Sequence, residues 1–306
     1  FKLEPLPVDA CRDAAVLEFD ALEATRFLDV YRVAPATRAV LSMPRDIDAP
    51  PFAPWWSLPD EVDDKVTFDE AVDHLHDLLV DAIHIRTHDE AITASYLSGG
   101  LDSAILQAVA FVPRVYCLTF NEVNALPNAA IAAQGAEIVP VTFDIDAARS
   151  VLDRVAYHLD TPATWSALGQ WFLAEAIAKA GSRVVLSGEG ADELFLGYNR
   201  YRALWRADNI YTDEGLVGYE GVVNHVFGRS DVVLMRMLDR SGGTSADHAA
   251  SLVARYAGHG GDLPRRMARV EWHTTMQCLF RMADRMCAAH SIENRSPFVD
   301  YRIVEY

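Results

Sequence analysis

Short apolar runs alternate with helix-compatible stretches through the middle of this chain. Four such runs have the length of buried β-strands, and the apolar residues between them recur every three or four positions. Apolar strands that alternate with helices are typical of a parallel sheet covered by helices on both faces, so we expect an α/β fold. The predicted strands are residues 91–97, 115–120, 138–143 and 183–187.

Helices are predicted on both sides of this region. One begins near Thr67, because Thr67 and Glu70 fit a capping box, in which each side chain bonds the backbone N–H of the other residue. Another passes through residues 171–177 and ends near Gly181. After about residue 197 the strand signals fade, and the predicted helices there are residues 222–238, 247–257 and 266–290.

The first 60 residues differ from the rest of the chain. Residues 25–33 and 37–42 are predicted to be short strands around a proline-containing turn. The proline-dense residues 47–56 are predicted to be a linker. We therefore expect a domain boundary near residue 60, with one larger domain over residues 61–306.

The composition predicts a globular protein and argues against a nucleic-acid surface. The chain has 306 residues and is 51% hydrophobic. Its net charge is −17, with 27 basic and 44 acidic residues, whereas nucleic-acid binding depends on Lys and Arg. No apolar run approaches the ~20 residues that span a bilayer, and the start does not resemble a signal peptide. The four cysteines lack CxxC spacing and suit reduced thiols, so a cytoplasmic location is expected.

Two glycine-rich segments, residues 98–103 and 187–193, each follow a predicted strand. Such loops lie at the carboxyl ends of parallel strands and present backbone N–H groups to an anion. Asp102 and Asp192 would repel phosphate unless a cation lay between them, so together the segments predict an ATP site with magnesium. No GxxxxGK[ST] motif occurs, and no GxGxxG follows a strand. Taken alone, residues 98–103 also fit an ordinary strand-to-helix turn.

Three segments together resemble one enzyme family. Residues 98–103 resemble the pyrophosphate loop of the N-type ATP pyrophosphatases, which split ATP into AMP and pyrophosphate. Residues 187–198 narrow the resemblance to the synthetase domain of glutamine-dependent asparagine synthetases, and residues 284–300 are similar to that family's downstream signature. The resemblance covers residues 60–306 and implies an adenine-nucleotide α-hydrolase-like fold with a helical C-terminal part.

The resemblance also implies residue roles. Asp102 and Asp192 would hold Mg²⁺ on pyrophosphate, and Glu189 would influence the acyl-adenylate and the amine that attacks it. Glu189 is a candidate base, because that amine must lose a proton. Alternatively, the Glu189 carboxylate only stabilises a helix N-terminus. Glu293 and Arg295 are candidates for the acceptor pocket or for a structural ion pair. The implied ATP-binding residues are Leu97, Ser98, Gly99, Gly100, Asp102, Ser103, Phe120, Ser187 and Gly188.

The chain departs from the family pattern at three points. The family's glutaminase half has an N-terminal cysteine nucleophile, whereas this chain begins with Phe1, so residues 1–60 are predicted to be a remnant of that half plus a linker. The family's catalytic lysine lies beyond the downstream signature, so the C-terminal end is predicted to be incomplete. Residues 121–135 are shorter than the corresponding family segment.

The predicted function is ATP-dependent amide-bond formation through an acyl-adenylate, joining a small-molecule or peptide carboxylate to ammonia or another amine. Lasso peptide cyclases share the motifs and are an alternative, as is a non-catalytic nucleotide-binding subunit. β-Lactam-forming relatives are disfavoured because they tend to have tyrosine at the position of Glu189. The acidic charge and absent CxxC disfavour a tRNA-modifying pyrophosphatase. A glutaminase domain or partner and a homodimer stay open, and neither nucleic acid nor membrane is expected as a partner.

Overall fold

A five-stranded parallel sheet forms the centre of the structure, which is a computed structural model. Its strands are β1 (Ile92–Tyr96), β2 (Arg114–Thr119), β3 (Glu137–Thr142), β4 (Val184–Leu186) and β5 (Glu293–Arg295). Their spatial order is β3-β2-β1-β4-β5. The residues that the structure describes are 25, 27–40, 52–59, 63, 65–88, 92–119, 125–160, 164–198, 211–212, 215–216 and 263–306.

The strand order places a topological switch point beside β1. The chain runs outward from β1 through β2 to β3 and then crosses back to β4, which pairs with the other edge of β1. In open parallel sheets, ligands bind in the crevice that such a reversal opens at the carboxyl ends of the strands. Both glycine-rich segments begin at this crevice, because they follow β1 and β4 directly.

Helices cover both faces of the sheet, as the sequence predicts. The helices are α1 (Phe68–Thr87), α2 (Leu101–Ala110), α3 (Leu126–Ala132), α4 (Ile145–Leu159), α5 (Trp165–Lys179), α6 (Ala191–Phe195), α7 (Leu263–His273), α8 (Thr275–Ala289) and α9 (Tyr301–Glu305). A 3₁₀ turn, Pro297–Val299, precedes α9. Successive side chains of β2 point to opposite faces of the sheet and pack in two different hydrophobic cores. Val115 packs with Ala129 of α3, whereas Tyr116 packs with Leu173 of α5.

Helix α1 begins with the predicted capping box. The backbone N–H of Thr67 donates to Glu70 Oε2 at 3.0 Å, and the backbone N–H of Glu70 donates to Thr67 Oγ1 at 3.3 Å. Near the other end of the helix, Arg86 donates to the buried carboxylate of Asp300 at 2.7 Å. Burial alone would raise the pKa of Asp300, but hydrogen bonds from Arg302 and Arg86 hold it well below its ordinary value. The Arg86–Asp300 ion pair therefore holds the segment after β5 against α1.

The structure corrects three details of the sequence prediction. β5 is a strand that the sequence did not predict, and it forms one edge of the sheet. The helix predicted over residues 266–290 is two helices, α7 and α8, separated at Thr274. Within the predicted linker, Ala53–Pro54 pairs antiparallel with Thr37–Arg38. The helices predicted for residues 222–238 and 247–257 lie outside the described residues.

None of the helices in the described part of the chain is both long enough and apolar enough to cross a membrane.

Candidate active site

The two glycine-rich loops meet at the switch point. The first leads from β1 into α2, and the second leads from β4 into α6. A Cβ atom built on Gly188 would lie 3.1 Å from Asp102 Cβ and 3.4 Å from the backbone nitrogen of Ser103. Because the second loop passes this close to the start of α2, a side chain at position 188 would require its neighbours to move by a few tenths of an ångström. The two segments thus form one site.

Gly99 lets the first loop turn against α3. Its φ angle is +77°, a left-handed conformation that glycine adopts without strain. A Cβ atom on Gly99 would lie 2.5 Å from Asn128 Cβ and 2.6 Å from the backbone nitrogen of Ala129, so a side chain would also collide with α3. Two hydroxyls support the turn: Ser98 Oγ accepts from the Gly100 N–H at 3.2 Å, and Ser103 Oγ donates to the Gly100 carbonyl at 3.1 Å.

The N-terminus of α2 points its first backbone N–H groups into the site. Gly100 occupies the cap position, and no side chain in the described part of the chain caps this helix end. The first N–H groups of a helix lack partners within the helix and attract anions. Leu97, just before the loop, is buried among Val115 and Ala129, so only its backbone can face a nucleotide.

Asp102 and Asp192 approach each other across the two loops. Burial and the nearby charge of Asp192 raise the pKa of Asp102 above its ordinary value. Two mutually repelling carboxylates beside a helix end that can attract an anion suit a hard cation such as Mg²⁺. Among the described residues no three His, Cys, Asp or Glu side chains form a metal site. Mg²⁺ commonly takes only one or two protein carboxylates and completes its shell with water and substrate phosphates, so these residues fit it.

Glu189 lies in the second loop with both carboxylate oxygens engaged. Gln170 Nε2 of α5 donates to Oε1, and Asn294 Nδ2 of β5 donates to Oε2 at 3.1 Å. Its own backbone N–H donates to Ser187 Oγ at 3.1 Å. Burial raises the pKa of Glu189 to about 7, although the hydrogen bonds from Asn294, Ser187 and Gln170 act in the opposite direction. A carboxylate that titrates near neutrality can accept and return a proton.

Gln170 and Asn294 are the site residues that sequence reasoning missed. Gln170 lies on a helix identified only by its apolar character, and Asn294 lies on the strand that was not predicted. The sequence did carry one signal: Asn294 lies between Glu293 and Arg295 and must point to the opposite face of any strand from theirs.

Tyr96 and Cys287 lie close to Glu189 on the sheet side of the site. The Tyr96 hydroxyl and Cys287 Sγ are 3.3 Å apart. Burial raises the pKa of Tyr96 and raises that of Cys287 to about 11, and the nearby Glu189 charge adds to both shifts. Both groups are therefore neutral at physiological pH, and Glu189 is the titrating member of this cluster.

Glu293 and Arg295 contact each other in the structure, and Arg295 also contacts α1. Arg295 Nε donates to Glu293 Oε1 at 2.7 Å, and Arg295 Nη1 donates to the backbone carbonyl of Arg86 at 2.8 Å. These are the contacts of an ion pair that joins β5 to α1, whereas Asn294 between them reaches Glu189. A role for the pair in an acceptor pocket stays a prediction. Phe120, predicted near the adenosine, lies outside the described residues.

Comparison with known proteins supports the relationship suggested by the motifs. Residues 74–306 match the Asparagine synthase family model. The asparagine synthetase [glutamine-hydrolyzing] 1 of Bacillus subtilis is 34% identical over 144 residues, which are 44% of this chain and 22% of that protein.

Two fungal proteins are similar over nearly the whole chain. Amidase chyE of Penicillium rubens is 28% identical over 361 aligned positions, covering 92% of this chain and 52% of that protein. Amidase chry2 of Gibberella zeae is 25% identical over 362 positions, covering 93% and 53%. The chain thus spans about half the length of these two relatives.

The family match covers most of the chain, including both glycine-rich loops, α5 and β5, on which the site is built. The chain belongs to the asparagine synthase family.

Proposed function

We propose that this protein joins a carboxylate to an amine at the expense of ATP, through an acyl-adenylate, with release of AMP and pyrophosphate. The observation that carries the proposal is the position of Glu189. A carboxylate with a pKa of about 7 follows β4, beside the strand whose loop forms the phosphate site. The site therefore combines nucleotide binding with a base.

The first half of the reaction uses the loops. Backbone N–H groups at the start of α2 would bind the ATP phosphates, with Ser98, Ser103 and Ser187 at the edges of the same crevice. Asp102 and Asp192 would hold Mg²⁺, which when bound offsets the negative charge of the phosphates. These residues would orient the α-phosphorus toward the incoming carboxylate. The carboxylate–phosphorus bond forms as the bond to pyrophosphate breaks.

The second half uses Glu189. The amine nitrogen attacks the acyl carbon, the bond from that carbon to AMP breaks, and AMP leaves with the electron pair on its phosphate oxygen. The nitrogen loses one proton in this step, and ionised Glu189 accepts it. Its two amide partners, Gln170 and Asn294, hold the carboxylate in one orientation for this transfer.

A second candidate function differs from the first only in which acid and which amine are joined. The two relatives that match more than nine-tenths of this chain are named amidases rather than asparagine synthetases. This favours keeping acids other than aspartate as substrates, including peptides that carry their own amine, as in a macrolactam-forming cyclase. The same two half-reactions apply in each case.

Exchange of labelled pyrophosphate into ATP tests the first half-reaction and separates these acids. We expect exchange that depends on Mg²⁺ and on one acid from a panel of L-aspartate, other amino acids and peptides. Asp102→Asn and Asp192→Asn should each lower the exchange rate about 100-fold, because each removes a carboxylate that would hold Mg²⁺ on the phosphates. Absence of exchange with every acid, in a protein shown to bind ATP, would leave a nucleotide-binding subunit as the function.

A further inference from the structure

Arg86, in the last turn of α1, contacts both ends of one short segment of the chain. Its backbone carbonyl accepts a hydrogen bond from Arg295 Nη1 at 2.8 Å, and its own Nη1 donates to Asp300 Oδ2 at 2.7 Å. The Asp300 side chain is 5% exposed and that of Arg86 is 26% exposed, so water screens this ion pair only in part. Arg86 thus fixes the positions of residues 295 and 300 relative to α1.

The same segment, residues 294–300, contacts the second glycine-rich loop. The Arg295 carbonyl accepts from the backbone N–H of Ser187 at 2.9 Å, and Asn294 Nδ2 donates to Glu189 Oε2 at 3.1 Å. The hydrogen bond from Asn294 favours the ionised carboxylate and lowers the pKa of Glu189, against the effect of burial. The charge state of Glu189 therefore depends on where the segment places Asn294.

The 3₁₀ turn within the segment also touches the loop. Val299 Cγ1 would lie 2.5 Å from a Cβ atom built on Gly190. On its other side the turn packs on α1, where Phe298 shares a hydrophobic core with Ile83. Apolar packing is non-directional, so it keeps the segment on α1 without fixing its orientation. The hydrogen bonds with Arg86 add the direction that this packing lacks.

β5 alone is a weak support for Asn294. The strand has three residues and lies at an edge of the sheet, where it pairs with β4 alone among the described strands. A hydrogen bond weakens steeply as its geometry departs from the optimum, so a displacement of about half an ångström at Asn294 would weaken its bond to Glu189. A strand this short therefore benefits from a second anchor.

We propose that Arg86 is a positioning residue for Glu189, which acts by holding residues 294–300 so that Asn294 keeps its hydrogen bond to the carboxylate. Its effect is to favour the ionised form of this carboxylate and to keep it in one orientation. The inference rests on the proposed function for its catalytic consequence, since Glu189 is the proposed base. The other titratable side chains near Glu189 stay unchanged in every substitution that tests this role, and they are Glu193, Tyr96 and Cys287.

Titration of Glu189 in the absence of substrates tests the assignment. Infrared spectroscopy follows the carbonyl band of the protonated carboxyl group, and Glu189→Gln identifies that band by its loss. We expect a midpoint at about pH 7 in the unchanged protein. Asn294→Leu should raise the midpoint by about one pH unit, because a hydrogen bond to the ionised form is lost. Arg86→Met should raise it by about half a pH unit or more, because Asn294 is then displaced.

A double substitution shows whether Arg86 acts through Asn294. If it does, adding Arg86→Met to Asn294→Leu should move the midpoint little further, whereas independent effects would add. Full additivity would overturn this route. Arg86→Lys should restore most of the shift, because it keeps the charge and Arg86 uses a single nitrogen to contact Asp300. With an acid that supports pyrophosphate exchange, the inflection in the pH profile of amide formation should move with the midpoint.

Arg285 provides a matched control, because it also joins two elements through one aspartate and one backbone carbonyl. Its Nη1 donates to Asp160 Oδ2 at 2.6 Å and to the carbonyl of His158 at 3.1 Å, which links α8 to the end of α4. Arg285→Met should lower the melting temperature but leave the Glu189 midpoint unchanged.

The midpoint in Arg86→Met decides the assignment. A midpoint equal to that of the unchanged protein, in a variant that circular dichroism shows to be folded, would overturn the role of Arg86, as would an equal shift in Arg285→Met. If Arg86→Met does not fold, Asp300→Asn removes the same ion pair and takes its place. Because the titration needs no substrate, a lack of pyrophosphate exchange with every acid would end the proposed function, whereas the titration alone decides the positioning role.

Discussion

Glu189 illustrates how burial and hydrogen bonding compete at one residue. Removal from water favours the protonated form, whereas N–H donors from Gln170 and Asn294 favour the ionised form. The nearby Glu193 adds a like charge that raises the pKa further. The balance leaves the pKa near 7, close to where a general acid–base group works best. Burial and the nearby charge of Asp192 also raise the pKa of Asp102, and this carboxylate is proposed to bind a cation instead.

A pH profile should report this ionisation. Below pH 7 Glu189 is protonated and cannot accept a proton, so the rate of amide formation should rise as the pH passes through about 7 and then level off. Hydroxylamine is a suitable nucleophile because it is much less basic than ammonia, and each rate is divided by the fraction of free hydroxylamine at that pH. The measurement is hydroxamate formation from pH 5.5 to 8.5.

Glu189→Gln provides the control, because it keeps the size of the side chain and removes its titration. Amide formation should fall at least 100-fold, while pyrophosphate exchange changes little. A profile in the unchanged protein without an inflection near pH 7 would contradict the role of Glu189 as the base.

At the scale of elements, the site depends on loop geometry that only glycine permits. Gly99 needs both a positive φ and the space of a missing Cβ, since α3 lies against it. Gly135 has a similar φ of +91° but meets nothing within 4 Å. Substitutions at these two positions therefore separate the cost of backbone strain from the cost of steric collision.

Gly99→Ala and Gly135→Ala make a matched pair of substitutions. Each should cost about 1–2 kcal/mol of unfolding free energy from backbone strain. Gly99→Ala should cost more, because α3 must also move, and should lower pyrophosphate exchange more than 100-fold as the loop is displaced. Gly135→Ala should keep the exchange rate. Urea denaturation and exchange assays measure both effects, and equal losses in the two variants would show that the contact with α3 is unimportant.

The elements differ in how far the sequence could predict them. The first four strands were predicted correctly, because apolar runs flanked by helices and glycine turns are local signals. β5 was not, because Glu293-Asn294-Arg295 is short and polar and pairs only through distant β4. Asn294 was missed for the same reason: its partner Glu189 is 105 residues away in sequence. Local patterns identified the loops, whereas the groups around Glu189 depend on tertiary packing.

At the scale of the whole molecule, a single sheet reversal brings the chemistry together. The strands that precede the two loops are neighbours only because the chain crosses from β3 back to β4 beside β1. On the other side of β4, β5 delivers Asn294, and α5 delivers Gln170 from the helical layer. The proposed nucleotide side and the proposed amine side are thus built by different parts of the chain.

The central claim is that the acid is activated as an acyl-adenylate, and oxygen transfer tests it most directly. An acid labelled with ¹⁸O in its carboxylate, chosen because it supports exchange, is converted to amide with ATP and ammonia, and the released nucleotide is analysed by mass spectrometry. The account predicts AMP that carries one ¹⁸O atom from the acid, together with unlabelled pyrophosphate. Release of unlabelled AMP, or of ADP with labelled phosphate, would contradict it.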